Sequence, residues 1–255
     1  MSVGKFSGWK GELYYKGEWQ EALFEKCVAV VGSRRMTSYG ERVIEKLVPQ
    51  LVNEGWTIVS GFMYGVDQAA HRTCLEVGGK TIAVLGWGIN ETLDASDQIL
   101  GDQIIKSGGL LISEWEDQKP AQWTFPARNK IVAAMAERIY VIEAASKSGA
   151  LITAEMGRNL GKEIWAVPGP VTSAVSAGTN WLIKTGRAKM WVPGESISRG
   201  TKTGDLYILL QNETLTVDEL VRKTGRSVQE VGSELTMMIL SGEAAEEEGK
   251  YYLVE

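Results

Sequence analysis

Short apolar runs that alternate with helical patterns constrain this chain more than any other feature. VAVVG (28–32), TIVSG (57–61), TIAVLGWG (81–88), GLLISEW (109–115), RIYVIEA (138–144) and EIWAVPG (163–169) read as strands buried on both faces. Helical repeats lie between them at 40–55, 66–79, 96–107, 129–136 and 149–162. The first puts Val43, Ile44, Leu47, Leu51 and Val52 on one face; Pro49 is expected to interrupt it and Gly55 to cap it. Such alternation builds parallel βαβ units, so the expected fold class is α/β, a doubly wound parallel sheet. Ligands of these sheets bind at the carboxyl ends of strands, which here read GSRR, SGFMYG, GWG, SEW, EAASKSG and PGP.

The 255 residues suffice for one large domain plus a small module. Residues 1–26 are a Gly- and aromatic-rich lead-in in which ELYYKGEW suggests a strand and turn. Residues 27–200 carry the alternating pattern. From 203 to 255 the character changes: DLYILLQ (205–211) is a short apolar helix, followed by helix, turn at Thr224-Gly225, helix over 227–240 and a hairpin-like end. That order is winged-helix-like. The tail holds 4 Lys/Arg against 11 Asp/Glu, whereas residues 1–202 hold 23 against 21, so a basic patch belongs to the longer part. The second tail helix offers only Gln229 and Ser233 to a base edge, beside Glu230 and Glu234, and the wing carries Glu246, Glu247 and Glu248. The tail therefore reads as an appendage that packs on or contacts protein, with Val231, Leu235, Met238 and Ile239 as its core. Cys27 and Cys74 read as buried thiols, and neither a leader peptide nor a membrane-length apolar run is expected, which points to the cytoplasm and away from membranes.

One junction stands out. In IEAASKSGALITA (142–154) a buried strand gives way to a helix through small residues around Lys147, as an anion site at a helix N-terminus requires. The loop VVGSRRMTSYGE lacks both G-x-G-x-x-G and the P-loop pattern, yet it places Arg34 where a guanidinium can fork onto a phosphate; Arg35 reads as a surface arginine. In SGFMYGVDQAAH, Asp67 and His71 share a helix face, and a structural hydrogen bond fits them better than catalysis, since no nucleophile stands beside them. One histidine and two distant cysteines give no metal site. QWTFPARNK sets Trp123 and Phe125 among Arg128, Asn129 and Lys130. That mixture suits a single-stranded nucleic acid groove, and it equally suits a proline turn capping a helix, with Trp123 and Phe125 in the core.

Taken in order, VVGSR, SGxxxGVDxxAH, GGKTIAVLGxG, ISE, FPARN, EAASKSGALITA, AVPGP, SAGTNWLI and TG resemble the DNA-processing protein A family (DprA, also called Smf), from about Val28 to Met190. The resemblance implies an extended Rossmann-like domain and a winged-helix module. It also implies binding and protection of single-stranded DNA, loading of a RecA-type recombinase in natural transformation, a homodimer, no cofactor and no enzymatic turnover. It places the phosphate-contacting arginine on Arg34, the critical lysine on Lys147, and the pocket on Ser60, Gly61, Phe125, Arg128, Asn129, Ser148, Gly149 and Thr153. The expected dimer surface is 176–191, with Ile183 in the core and Trp181 and Leu182 open between core and surface. Three departures accompany it: the lead-in replaces the family's amino-terminal helical domain, ETLDASDQ stands where a Tyr-Pro pair and an Asn are usual, and Lys130 follows Arg-Asn in place of arginine. The competing reading is a Rossmann-like nucleotide-binding sensor or a nucleoside-monophosphate phosphoribohydrolase. Those enzymes show P-G-G-x-G-T before a glutamate, which AVPGPVTSAVSAGTN lacks.

Overall fold

The computed structural model describes residues 2–193, 206, 207, 209, 210, 213–240, 244–247 and 249–253. They fall into two compact units that divide between Ile197 and Ser198. The larger is built on one nine-stranded sheet. Its strands in chain order are β1 (Val3–Gly4), β2 (Leu13–Gly17), β3 (Cys27–Val31), β4 (Thr57–Ser60), β5 (Thr81–Val84), β6 (Leu110–Ser113), β7 (Arg138–Val141), β8 (Glu163–Ala166) and β9 (Lys189–Met190). Across the sheet they run β1-β2-β6-β5-β4-β3-β7-β8-β9, parallel from β6 to β9. The lead-in is part of this sheet: β2 pairs antiparallel with β6 and β1 with β2, under an aromatic cover in which Phe6 stacks on Phe24 and Trp19 lies 4.6 Å from Phe24.

Every residue of β3 to β7 is buried, which explains their continuous apolar runs. Alternate residues serve opposite faces. Val28 and Val30 pack with α1 (Ser38–Asn53) and α2 (Val66–Glu76), and Ala83 and Leu111 with α3 (Ala95–Lys106). Ala29 and Val31 pack with α4 (Thr124–Met135), α5 (Gly149–Asn159) and α6 (Ala177–Lys184). From β3 the chain winds one way to β6 and then returns to β7 on the other flank of β3. The carboxyl ends of β3 and β7 thus form the topological switch point, where helices leave the sheet in opposite directions.

Two helices differ from expectation. Pro49 does not interrupt α1, which runs through it to Asn53. The proline deprives the Glu45 carbonyl of its partner, at a cost of about 3 kcal/mol, but Glu45 lies on the exposed face where water can reach it. Burial of Val43, Ile44, Leu47, Val48 and Leu51, each contributing about 1.5–3 kcal/mol, outweighs that cost. α4 starts at Thr124, ahead of the expected 129, and Pro126 falls in its first turn, where a missing N–H leaves no bond unmade.

The smaller unit has a three-stranded sheet, β10 (Leu215–Thr216), β12 (Lys250–Leu253), β11 (Ala244–Glu247), with helices Val217–Thr224 and Val228–Leu240. Thr216 and Glu219 form a reciprocal capping box at the first helix, and Gly225 ends it at φ +66°. Val231, Leu235 and Met238 are buried with Leu206, Leu210, Leu215 and Leu220. Ile239 is not core: it is exposed, because this small unit covers only a narrow stripe of the helix. Glu248, the expected domain boundary between 200 and 203 and parts of 205–211 lie outside the described residues. Cys27 and Cys74 are buried thiols, each pushed by burial up to about 12. No helix among the described residues is long and apolar enough to cross a membrane.

Candidate functional site

A cavity of about 700 Å³ opens at the switch point. β3 delivers Gly32, Ser33 and Arg34 to it, β4 delivers Gly61, α4 delivers Phe125 and Asn129, and the β7–α5 junction delivers Lys147, Ser148 and Gly149. Ser148 caps α5 by accepting the Ala150 N–H at 3.2 Å. A Cβ on Gly149 would meet nothing, so the space above the helix's first turn is open. Lys147 is exposed there and has no hydrogen-bond or ion-pair partner among the described residues. Arg34 is also exposed, its guanidinium 4.9 Å from the centre of the Phe125 ring. Two exposed cations with no ion-pair partner among the described residues, beside a helix N-terminus, make a site for an anion.

Beneath them lies a network that holds the floor in place. Arg128 is 4% exposed; its Nη1 donates to the Val84 carbonyl at 2.5 Å and its Nη2 lies 3.8 Å from Asp67 Oδ2. Burial raises the Asp67 carboxyl above the usual carboxylate range, opposed by Arg128, the Met63 amide, the Ser60 hydroxyl and Arg34. Burial likewise lowers Arg128, whose Nε has no acceptor. His71 Nε2 donates to the Gly61 carbonyl at 2.7 Å, and Nδ1 lies 2.6 Å from the Thr81 hydroxyl. Burial keeps this ring neutral, lowering it to about 4. A side chain on Gly61 would collide with Arg128 and Asp67. Gly65, at φ +85°, lets the chain turn against the Ser33 and Arg34 carbonyls before α2 begins.

The structure therefore brings Arg34, Gly61, Phe125, Arg128, Asn129, Lys147, Ser148, Gly149 and Thr153 to one cavity. Their surroundings differ. Thr153 is buried and reaches back to the Gly149 carbonyl, and Asn129 reaches the same carbonyl at 3.5 Å, tying α4 to α5. Ser60 does not line the cavity; it is fully buried and donates to the Val30 carbonyl at 2.6 Å. Asp67 and His71 are structural, as expected, but serve Arg128 and Gly61 rather than each other. Sequence spacing gives no sign of the Asp67–Arg128 pairing, because the two are distant in the chain and only the shared strand end joins them. The alternative for QWTFPARNK holds in part: the segment opens α4 with Pro126 in its first turn, and the half-buried Phe125 packs against the core, whereas Trp123 is exposed. On the far side of α5, Lys147 and Ser148 also border an apolar groove of about 890 Å³ that includes Ile152 and Trp181. Leu182 turns inward into the core and Ile183 packs against it, while Trp181 and Met190 are exposed and Trp191 is buried.

Residues 10–201 match the family described as DNA recombination-mediator protein A, and residues 199–250 match the DprA winged helix domain. Protein Smf of Escherichia coli is 33% identical over 267 residues, covering 94% of this chain and 71% of that protein. DNA processing protein DprA of Streptococcus pneumoniae is 39% identical over 186 residues, covering 72% of this chain and 64% of that protein. The solved Streptococcus pneumoniae structure superposes with a TM-score of 0.66 at 38% identity, covering 73% of this chain and 65% of that one. The Helicobacter pylori DNA processing protein A, solved to explain its single-stranded DNA binding mode, superposes at 0.65 and 29% identity, covering 74% and 89%. With an α/β sheet of this order, a winged-helix tail and family matches across both, the chain belongs to the DNA recombination-mediator protein A (DprA/Smf) family.

Proposed function

We propose that this chain binds single-stranded DNA, largely independently of sequence, at the cavity between β3 and β7. Arg34 and Lys147 would hold backbone phosphates, and the α5 N-terminus would add its partial positive charge. The observation that carries this reading is the pair of exposed cations, neither in an ion pair among the described residues, over an open helix end. Ser148 and Gly149 leave room for the strand, and Arg128, Asn129, Thr153, Ser60 and Gly61 shape the site from below. The chain acts by binding rather than turnover, protecting the strand and helping to load a RecA-type recombinase in the cytoplasm. The family and the single-stranded DNA binding of the Helicobacter pylori relative support this. The test is a titration of the full chain with oligothymidylate and with duplex of equal length. Tighter, strongly salt-dependent binding of the single strand is expected, and equal affinity for both would refute the reading.

The second part of the proposal is a homodimer through the α5–α6 face, supported by the exposed Trp181 and Ile152 around one apolar groove. Such a contact would be isologous, so a charge at Trp181 would face its own copy across the two-fold axis. Leu182 is only 3% exposed, so a charge there would disrupt the core instead. Trp181→Glu should convert a dimer to a monomer in light scattering at micromolar concentration. A monomeric wild type, or a variant that dimerises as tightly, would end the idea.

A further inference from the structure

Phe125 is poorly placed to receive a base. It is half-buried, Arg34 covers one side of its ring at 4.9 Å, and Trp87 meets it edge-on at 6.4 Å. Its surroundings are those of a support for Arg34. Two residues earlier, Trp123 is 57% exposed and rests on Trp115, with ring centres 5.6 Å apart at 84°. The main chain of Trp115 is itself anchored: its backbone N–H donates to Ser113 Oγ at 3.0 Å and its backbone carbonyl accepts from the Ile89 N–H at 2.9 Å. Gln122 and Phe125, on either side of Trp123 in the chain, both line the cavity. An exposed indole packed edge-on against a second ring, with residues on either side of it in the chain lining the phosphate site, offers a stacking surface.

We propose that Trp123, braced by Trp115, is a base-stacking subsite that takes an unpaired nucleobase of the strand whose phosphate lies at Arg34 and Lys147. This rests on the single-stranded DNA reading of the cavity. Glu114, Glu116 and Asp117 flank Trp115 and repel phosphates, so the strand presents a base there and keeps its backbone over the basic side. No local bond depends on the indole. As the residue before α4, Trp123 makes no capping hydrogen bond with its side chain, and the preceding turn is closed by Ala121 and Thr124. Substitution is therefore expected to leave the fold intact.

The experiment is an anisotropy titration of the full chain with oligothymidylate and with an abasic strand of equal length. Trp123→Ala and Trp123→Leu should weaken oligothymidylate binding by about 5- to 100-fold, and Trp123→Phe should retain most of it. The salt slope should not change in any of the three, because every cation that meets a phosphate is still in place. On the abasic strand wild type and variants should bind alike, since the partner of the indole is gone. The proposal is overturned if the alanine and leucine variants bind oligothymidylate like wild type, if their deficit persists on the abasic strand, or if the salt slope falls. A wild type that does not bind single strands would refute the reading of the cavity itself, a result distinguishable from these three.

Discussion

In the tail, Arg226 reaches Glu234 at 2.5 Å and Lys223 is paired with Glu213. At the switch point, Arg34 has an aromatic ring for company and Lys147 has open solvent. Both units carry cations, but Lys223 and Arg226 of the tail are already paired with carboxylates, while Arg34 and Lys147 have no ion-pair partner among the described residues. The contrast teaches that availability, more than the number of positive charges, decides where a phosphate can bind. A net charge of −5 over the whole chain conceals this division.

The largest effect expected from the comparison is on DNA affinity. Arg34→Ala with Lys147→Ala should weaken oligothymidylate binding at least about a hundredfold, because each removes a charge-assisted hydrogen bond of roughly 1.5–3 kcal/mol. Lys223→Ala should leave it unchanged. Arg226→Ala should instead destabilise the tail by about 2–3 kcal/mol, since it strands Glu234 in a nearly buried position. The two outcomes separate cleanly by probe. All nine tryptophans lie between Trp9 and Trp191, so tryptophan fluorescence should keep its unfolding transition in this variant while far-ultraviolet circular dichroism shows the loss.

Acid should also distinguish the two units, because the single histidine is His71. Its folded-state value is depressed from 6.5 to about 4 by burial. The unfolded chain therefore takes up the proton first. The stabilisation is complete well above pH 6.5 and is lost as pH falls toward 4, by about 1.6 kcal/mol between pH 6.5 and 5. Urea unfolding followed by tryptophan fluorescence should show this slope in wild type, and His71→Gln should flatten it. The smallest effect belongs to the wing: Glu246→Gln with Glu247→Gln, both at exposed positions, should change oligothymidylate affinity less than about twofold, as screened surface charges do. A large gain there would mean that the tail opposes DNA binding rather than standing apart from it.

The parallel sheet was legible because strands buried on both faces leave unbroken apolar runs, VAVV and TIVS among them. The switch-point edge was legible for a related reason, since small residues and cations must interrupt those runs where a ligand enters. Local rules failed where packing overruled them. Pro49 is carried inside α1 by the apolar face around it, and Pro126 sits in a first turn that has no use for its N–H. The lead-in's role as sheet edge was hidden because β2 pairs with β6, far along the chain. The distinction between Phe125 and Trp123 was equally hidden, because what separates them is the position of Arg34 and Trp87, and spacing carries no trace of it.

The central claim is that phosphates are held by Arg34 and Lys147 and by nothing in the tail. The direct measurement is the slope of log affinity against log salt for oligothymidylate, taken on the wild type, on the Arg34→Ala/Lys147→Ala variant and on Lys223→Ala. Removing one phosphate-neutralising cation should reduce the slope by about 0.7 on a single strand, so the double variant should fall by about 1.4 while the tail variant matches wild type. An unchanged slope in the double variant, or an equal drop in the tail variant, would contradict it.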